Sequence, residues 1–282
     1  VFIVVLGAGE VGGAVAQQMA ARHVGVPVVI VDAQRSVAEG KALDLQQSAP
    51  VDGSAPDIRG SDDYGMLRDA VLVVMADHAA ARGHDSPTDA DVLPRLMQIA
   101  RQAPPCPVIV ATPDAEHVIA RAVAECGLAA GRLMGAAPEA LRGALRALIA
   151  EEVRCRPDEV SAAVLGRAPE SLIVPWDGCS IGGRCATDVL TPPAIRRIEQ
   201  RLPGLWPPGP HALGRATAKV AAGLFRDEGE TFCVQVALVR GVTGTGRPAI
   251  LPATVGATGV RAVQRPTLTG RDQTRLDSVV SA

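Results

Sequence analysis

Short apolar runs without alternation punctuate the first half of the chain: Phe2–Leu6, Val28–Val31, Ala70–Met75, Val108–Ala111 and Leu133-Met134, with a weaker one at Asp57-Ile58. A run that does not alternate is buried on both faces, as in a parallel strand covered by helices. Helical patterns fall between the runs: one after Leu6, then Val37–Gln47, Val92–Gln102 and Asp114–Glu125. Strands alternating with helices through right-handed crossovers predict a doubly wound parallel sheet. From Pro138 the pattern changes. A helix to about Glu152 precedes β-rich segments at Val160–Leu165 and Ser171–Pro175. Helices are expected at Pro192–Leu202 and Ala212–Arg226, strands at Thr231–Arg240 and Ala249–Val255, and a last helix at Arg271–Val280. The expected fold class is α/β: a doubly wound parallel sheet over residues 1–137 with a second, smaller α+β domain over 138–282.

The junction of the first strand and helix carries Gly7-x-Gly9-x-x-Gly12. Gly7 permits a tight turn, Gly9 lets a pyrophosphate approach the backbone, and Gly12 lets helix and sheet pack closely. The helix start, Glu10 and Val11, offers free N–H groups to an anion. Asp32 ends the second strand about twenty residues beyond, where a carboxylate grips the ribose hydroxyls of NAD and repels the extra phosphate of NADP. A glycine triplet alone also fits a turn in some other α/β protein; the strand–turn–helix–strand–Asp context is what points to a Rossmann dinucleotide site.

Composition narrows the partners. In 282 residues, 48% hydrophobic and 21% charged, there is enough apolar side chain for a full core. The net charge of -2 offers no basic field for nucleic acid or a membrane surface. No apolar run approaches the roughly 18 residues of a membrane span and no signal peptide is visible in these residues, so the expectation is a soluble cytoplasmic protein. Lys41 and Lys219 are the only lysines, which leaves little for Schiff-base chemistry. The six cysteines show no C-x-x-C pair and read as reduced and core-filling; Cys179 and Cys185 do not make a zinc site, and no metal is expected.

GAGEVGGAVA, VIVD, GKALDLQQSAPVDG followed by SDDY, then IAEEV, AAVLG and RPAILPATVGATGV resemble the lactate/malate dehydrogenase family, on the side of the lactate-dehydrogenase-like bacterial malate dehydrogenases. The resemblance runs over essentially the whole chain. It implies a homo-oligomer (dimer or tetramer) and NAD-linked interconversion of a 2-hydroxy and a 2-keto acid. It also implies cofactor contacts at Ala76 and Thr112, and roles for Lys41 and Asp44 in helix packing and subunit contact.

That reaction needs a histidine to take the hydroxyl proton, an aspartate to hold it, an arginine to clamp the carboxylate, and a second arginine on a mobile loop. The family's G-x-x-x-x-L-D-x-x-R-F-R reads here GAAPEALRGALR, with Leu141 in place of the aspartate and Ala144 in place of the arginine. A shifted alignment offers Glu139 and Arg142 as stand-ins. V-L-G-x-H-G-[DE] reads VLGRAPE, with Ala168 for the histidine and Pro169 for glycine. The mobile loop reads from Met75-Ala76-Asp77-His78 to Arg82; Arg82 is the remaining arginine, and Asp77 replaces a glycine that passes close to the cofactor. A carboxylate beside pyrophosphate is repelled by about 1 to 4 kcal/mol. S-N-P reads Ala111-Thr112-Pro113, and LPGLWPPGP before Ala212 interrupts a helix of the substrate wall.

Three readings follow. One is a family member that binds dinucleotide without the catalytic set, with a binding, regulatory or paralogue-pairing role. Another is an enzyme for a small 2-keto or 2-hydroxy acid with a relocated site, built from His78, His84 or His211 with Arg82, Glu139 or Glu170, His211 being the best placed. The third is a structural subunit whose cleft binds nothing.

Overall fold

The computed structural model describes residues 1–22, 25–79, 89–237, 247–266 and 268–281. The N-terminal half runs β1 (Phe2–Leu6), α1 (Glu10–Ala21), β2 (Val28–Val31), α2 (Arg35–Ser48), β3 (Ile58–Ser61), β4 (Ala70–Met75), α3 (Asp89–Gln102), β5 (Val108–Val110), α4 (Ala115–Ala124) and β6 (Leu133–Gly135). The order β3-β2-β1-β4-β5-β6 is parallel throughout. Every expected strand of this half forms. β1 sits inside, with Ile3 against Val28 and Val5 against Val74 in register. Both its faces are covered, which is why it reads as an uninterrupted apolar run. Each fully buried Val, Ile or Leu here contributes about 1.5–3 kcal/mol.

The C-terminal half runs α5 (Ala137–Val153), β7 (Val160–Ser161), β8 (Leu165–Arg167), β9 (Ser171–Ile173), β10 (Ser180–Ile181), β11 (Arg184–Cys185), α6 (Ala186–Val189), α7 (Pro192–Arg201), α8 (Pro210–Arg226), β12 (Thr231–Val236), β13 (Ala249–Gly256), β14 (Gly259–Val263) and α9 (Gly270–Ser281). Its strands do not form a wholly separate sheet. β12 pairs antiparallel with β6, and β13, β8 and β9 extend the same sheet, while β7, β10 and β11 make a small second one. The β-rich segment expected at Val160–Leu165 thus holds one short strand and the start of another, divided between sheets. The β10–β11 hairpin and β14 were not foreseen. Gly182 and Gly183, at φ +56° and +80°, supply the two left-handed residues of a tight hairpin turn. The strand expected at Thr231–Arg240 ends at Val236, and residues 238–240 lie outside the described residues.

The two halves meet along α1 and α8. A Cβ on Gly214 would lie 2.8 Å from the Ala14 backbone, so glycine and alanine are what let these helices touch. This contact fixes α8 beside the glycine turn. No helix among the described residues is long and apolar enough to cross a membrane.

Candidate dinucleotide-binding site

The glycine turn lies at the C-terminal end of β1. Gly7 has φ +118°, and a Cβ there would fall 2.1 Å from the Asp77 carbonyl oxygen, because the chain leaving β4 crosses directly over it. A Cβ on Gly12 would meet the Gly7 carbonyl oxygen at 2.0 Å. Neither position has room for a side chain. The Gly9 amide donates to the Asp77 carbonyl at 3.0 Å, and Lys41 Nζ donates to the Gly9 carbonyl at 2.7 Å. Lys41 therefore braces the turn as well as belonging to α2, a role not legible in GKALDL.

Helix α1 starts at Glu10 with no cap from its own N-cap residue, Gly9. Its cap comes from across the sheet. The Val11 and Gly12 amides donate to Asp77 Oδ2 and Oδ1 at 3.2 and 2.9 Å. A carboxylate there is favoured twice, by the unpaired N–H groups and by the positive end of the helix.

Asp32 directly follows β2 and is 3% exposed. Its Oδ2 accepts the Ala8 amide at 2.8 Å and the Ala79 amide at 2.9 Å, and Oδ1 accepts the Gln34 amide at 2.9 Å. Beneath lies Arg95 of α3, a buried cation absent from the sequence expectations. It donates to the Leu6 carbonyl and, at 2.7 Å, to the Ala76 carbonyl. Burial pulls its pKa down, while Tyr64, Asp32, Asp77 and Asp91 push it back up. The signal available was an arginine on the apolar face of a helix after β4; its partner atoms are backbone, so no motif announces them.

Gly7, Gly9, Gly12, Asp32 and Ala76 thus come together at the C-terminal ends of the interior strands β1, β2 and β4, with Glu10 exposed and Val11 half-buried. Thr112 follows β5; it is buried, and its Oγ1 has no hydrogen-bond partner among the described residues. Of the substitute catalytic residues, Glu139 is buried in the first turn of α5 and bonded three ways: to Arg142 at 2.6 Å, Lys219 at 2.9 Å and the Cys233 amide at 3.2 Å. His211 is exposed in the first turn of α8, His78 is half-buried, and Glu170 is exposed before β9. Arg82 and His84 lie outside the described residues. Leu141 is fully buried with Leu145, Ile149 and Val160 in the core of the C-terminal half, and Ala144 and Ala168 are half-buried.

A glycine turn feeding a helix at the end of the first parallel strand, with an aspartate ending the second, defines an α/β protein of the dinucleotide-binding class. Residues 1–120 match the family model described as the lactate/malate dehydrogenase NAD binding domain. The chain is 27% identical over 299 residues to the malate dehydrogenase of Nitrosococcus oceani, covering 99% of this chain and 95% of that one. Its fold matches the malate dehydrogenase of Salinibacter ruber with a TM-score of 0.88 at 24% identity, over 99% and 94% of the two chains. It also matches the lactate dehydrogenase of Cryptosporidium parvum, solved with lactic acid and NAD, with a TM-score of 0.88 at 21% identity over 99% and 94%. Residues 1–120 thus match the NAD binding domain of lactate/malate dehydrogenases, and NAD is the cofactor of this domain.

The backbone of the cradle fits that cofactor: Gly7 and Gly12 let the turn pack tightly, Gly9 puts no side chain in the way of a pyrophosphate, and Asp32 directly follows β2. The side chain of Asp77 does not fit it, since it holds the two amides of α1 that an anionic ligand would take.

Proposed function

We propose that this chain is an NAD(H)-binding member of the lactate/malate dehydrogenase family without the hydride-transfer set, acting as a binding or regulatory subunit or by pairing with a paralogue. One observation carries the reading: Leu141, Ala144 and Ala168 stand at the three motif positions that need an acid, a guanidinium and an imidazole. A leucine sealed in the core cannot orient an imidazole, and an alanine has no proton to exchange. Losing a general base alone costs about 10²- to 10⁴-fold in rate. The stand-ins do not replace it. Arg142 is paired with Glu139, and Glu139 is shared with Lys219. In this reading residues 1–137 bind dinucleotide and residues 138–282 form the substrate-like and oligomerisation half, in a cytoplasmic dimer or tetramer.

The relatives named malate dehydrogenase favour a second reading. There the chain is an active 2-hydroxy acid oxidoreductase whose site has moved, with His211 as the proton acceptor. NADH fluorescence titration, followed by NADH consumption with oxaloacetate and pyruvate, separates the two. Binding without consumption is expected. Turnover of about 1 s⁻¹ or more, abolished by His211→Ala, would establish the relocated enzyme instead. Absence of binding would leave only a structural subunit.

A further inference from the structure

The space left clear by Gly9 is already filled. A Cβ on Gly9 would lie 2.2 Å from Asp77 Oδ2, so the carboxylate stands where the missing side chain leaves room for a ligand. In this kind of turn, that room and the amides that follow it receive a pyrophosphate. We propose that Asp77 is a resident anion that competes with the dinucleotide's pyrophosphate for the amides of Val11 and Gly12, and so sets the affinity of the cleft for NAD(H). The proposal rests on the reading of this cleft as an NAD(H) site.

The competition follows from how the segment is held. The Asp77 carboxylate caps a 12-residue helix, an arrangement that helix charge and hydrogen bonding both favour. Its backbone is pinned by the Gly9 amide, the preceding Ala76 carbonyl is held by Arg95, and the Ala79 amide is held by Asp32. The carboxylate therefore does not drift out of the cradle. A diphosphate and a carboxylate cannot share two amides, and at contact range they repel. Dinucleotide entry requires Asp77 to release both bonds and turn away. A nucleoside without phosphate meets no such barrier. Asp77 thus discriminates among ligands by whether they bring phosphate to this point.

The test is calorimetric or fluorescence titration of the full chain with NADH, and with adenosine as the phosphate-free probe, for wild type, Asp77→Asn and Asp77→Gly. Asn keeps the size and an acceptor oxygen, so that variant retains part of the cap if the glycine variant folds poorly. NADH is expected to bind roughly tenfold or more tightly to both variants, with adenosine affinity changed less than about twofold. Equal NADH affinity in all three proteins would overturn the competition and leave the NAD(H)-binding reading standing. An equal gain for adenosine would also overturn it, since the substitution would then have opened the cleft to any ligand. No NADH binding by any of the three would remove both the proposal and the reading beneath it.

Discussion

Lys219 Nζ lies 2.9 Å from Glu139 Oε1, bridging α8 to the first turn of α5 across 80 residues of chain. The same oxygen accepts from Arg142, so one buried carboxylate answers two cations and, through Oε2, the Cys233 amide. This is a structural arrangement: the acid that keeps the spacing of a catalytic pair is spent on holding two helices and a strand together.

Removing that carboxylate leaves Arg142 and Lys219 facing each other. Glu139→Ala is expected to destabilise the fold by about 2–4 kcal/mol, below the cost of breaking a fully dry pair because both cations keep some solvent. Glu139→Gln retains acceptor oxygens and should lose roughly half as much. Urea midpoints at constant slope measure both. A loss within 0.5 kcal/mol of zero for the alanine variant, about the scatter of ordinary surface changes, would show the network to be idle.

Arg95 supports the cradle from below. Arg95→Ala leaves the Leu6 and Ala76 carbonyls without its donors and is expected to cost about 2–3 kcal/mol. Arg95→Lys should recover only part, since an ammonium does not reproduce the guanidinium fork. Hydrogen exchange at the ends of β1 and β4 should rise in the alanine variant. Unchanged exchange there would contradict the bracing role.

Glu116 of α4 is paired with Arg167 at 2.9 Å, yet burial holds its pKa above the ordinary value of 4.5, with Arg167 and Arg247 offsetting only part of the shift. In the window from 4.5 upward to the folded pKa, the native state holds a proton that the unfolded chain has released. The contribution of Glu116 to stability therefore falls as pH rises through that window. The stability difference between wild type and Glu116→Gln should shrink or turn against wild type from pH 4.5 to 7. A difference that grows with pH would mean the ion pair outweighs burial.

Thiol chemistry should divide the cysteines. Burial pushes Cys179 and Cys233 up to about 11 and raises Cys106 as well. At pH 8 a thiol with that pKa is about one part in a thousand thiolate. Cys155 and Cys185, both half-buried, should react with a disulfide reagent in the native state, whereas Cys106, Cys179 and Cys233 should react only on unfolding. Rapid native-state reaction of Cys233 would show that β12 opens far more easily than its burial allows.

Much of the fold was legible because its signals are local. Uninterrupted apolar runs such as Val28–Val31 declare a strand covered on both faces, and the Gly7–Gly12 spacing declares the turn and the helix after it. The segments read less well were the ones whose partners lie far off. Val160-Ser161 and Leu165–Arg167 fall along one β-rich stretch of sequence and pair in different sheets. Gly182-Gly183 was a usable hairpin signal that the short flanking strands obscured.

Sequence by itself determined the order of strands and helices in the N-terminal half, the glycine cradle, and the aspartate that follows β2. Each of these depends on residue type within a few turns of chain. Only the tertiary structure decided what fills the cradle. Asp77 is 65 residues from Gly12, and its carboxylate caps α1 because the chain leaving β4 passes over the end of β1. Hydrogen bonding between segments so far apart depends on the distance and angle at which packed strands bring them together, and no periodicity along the chain records that.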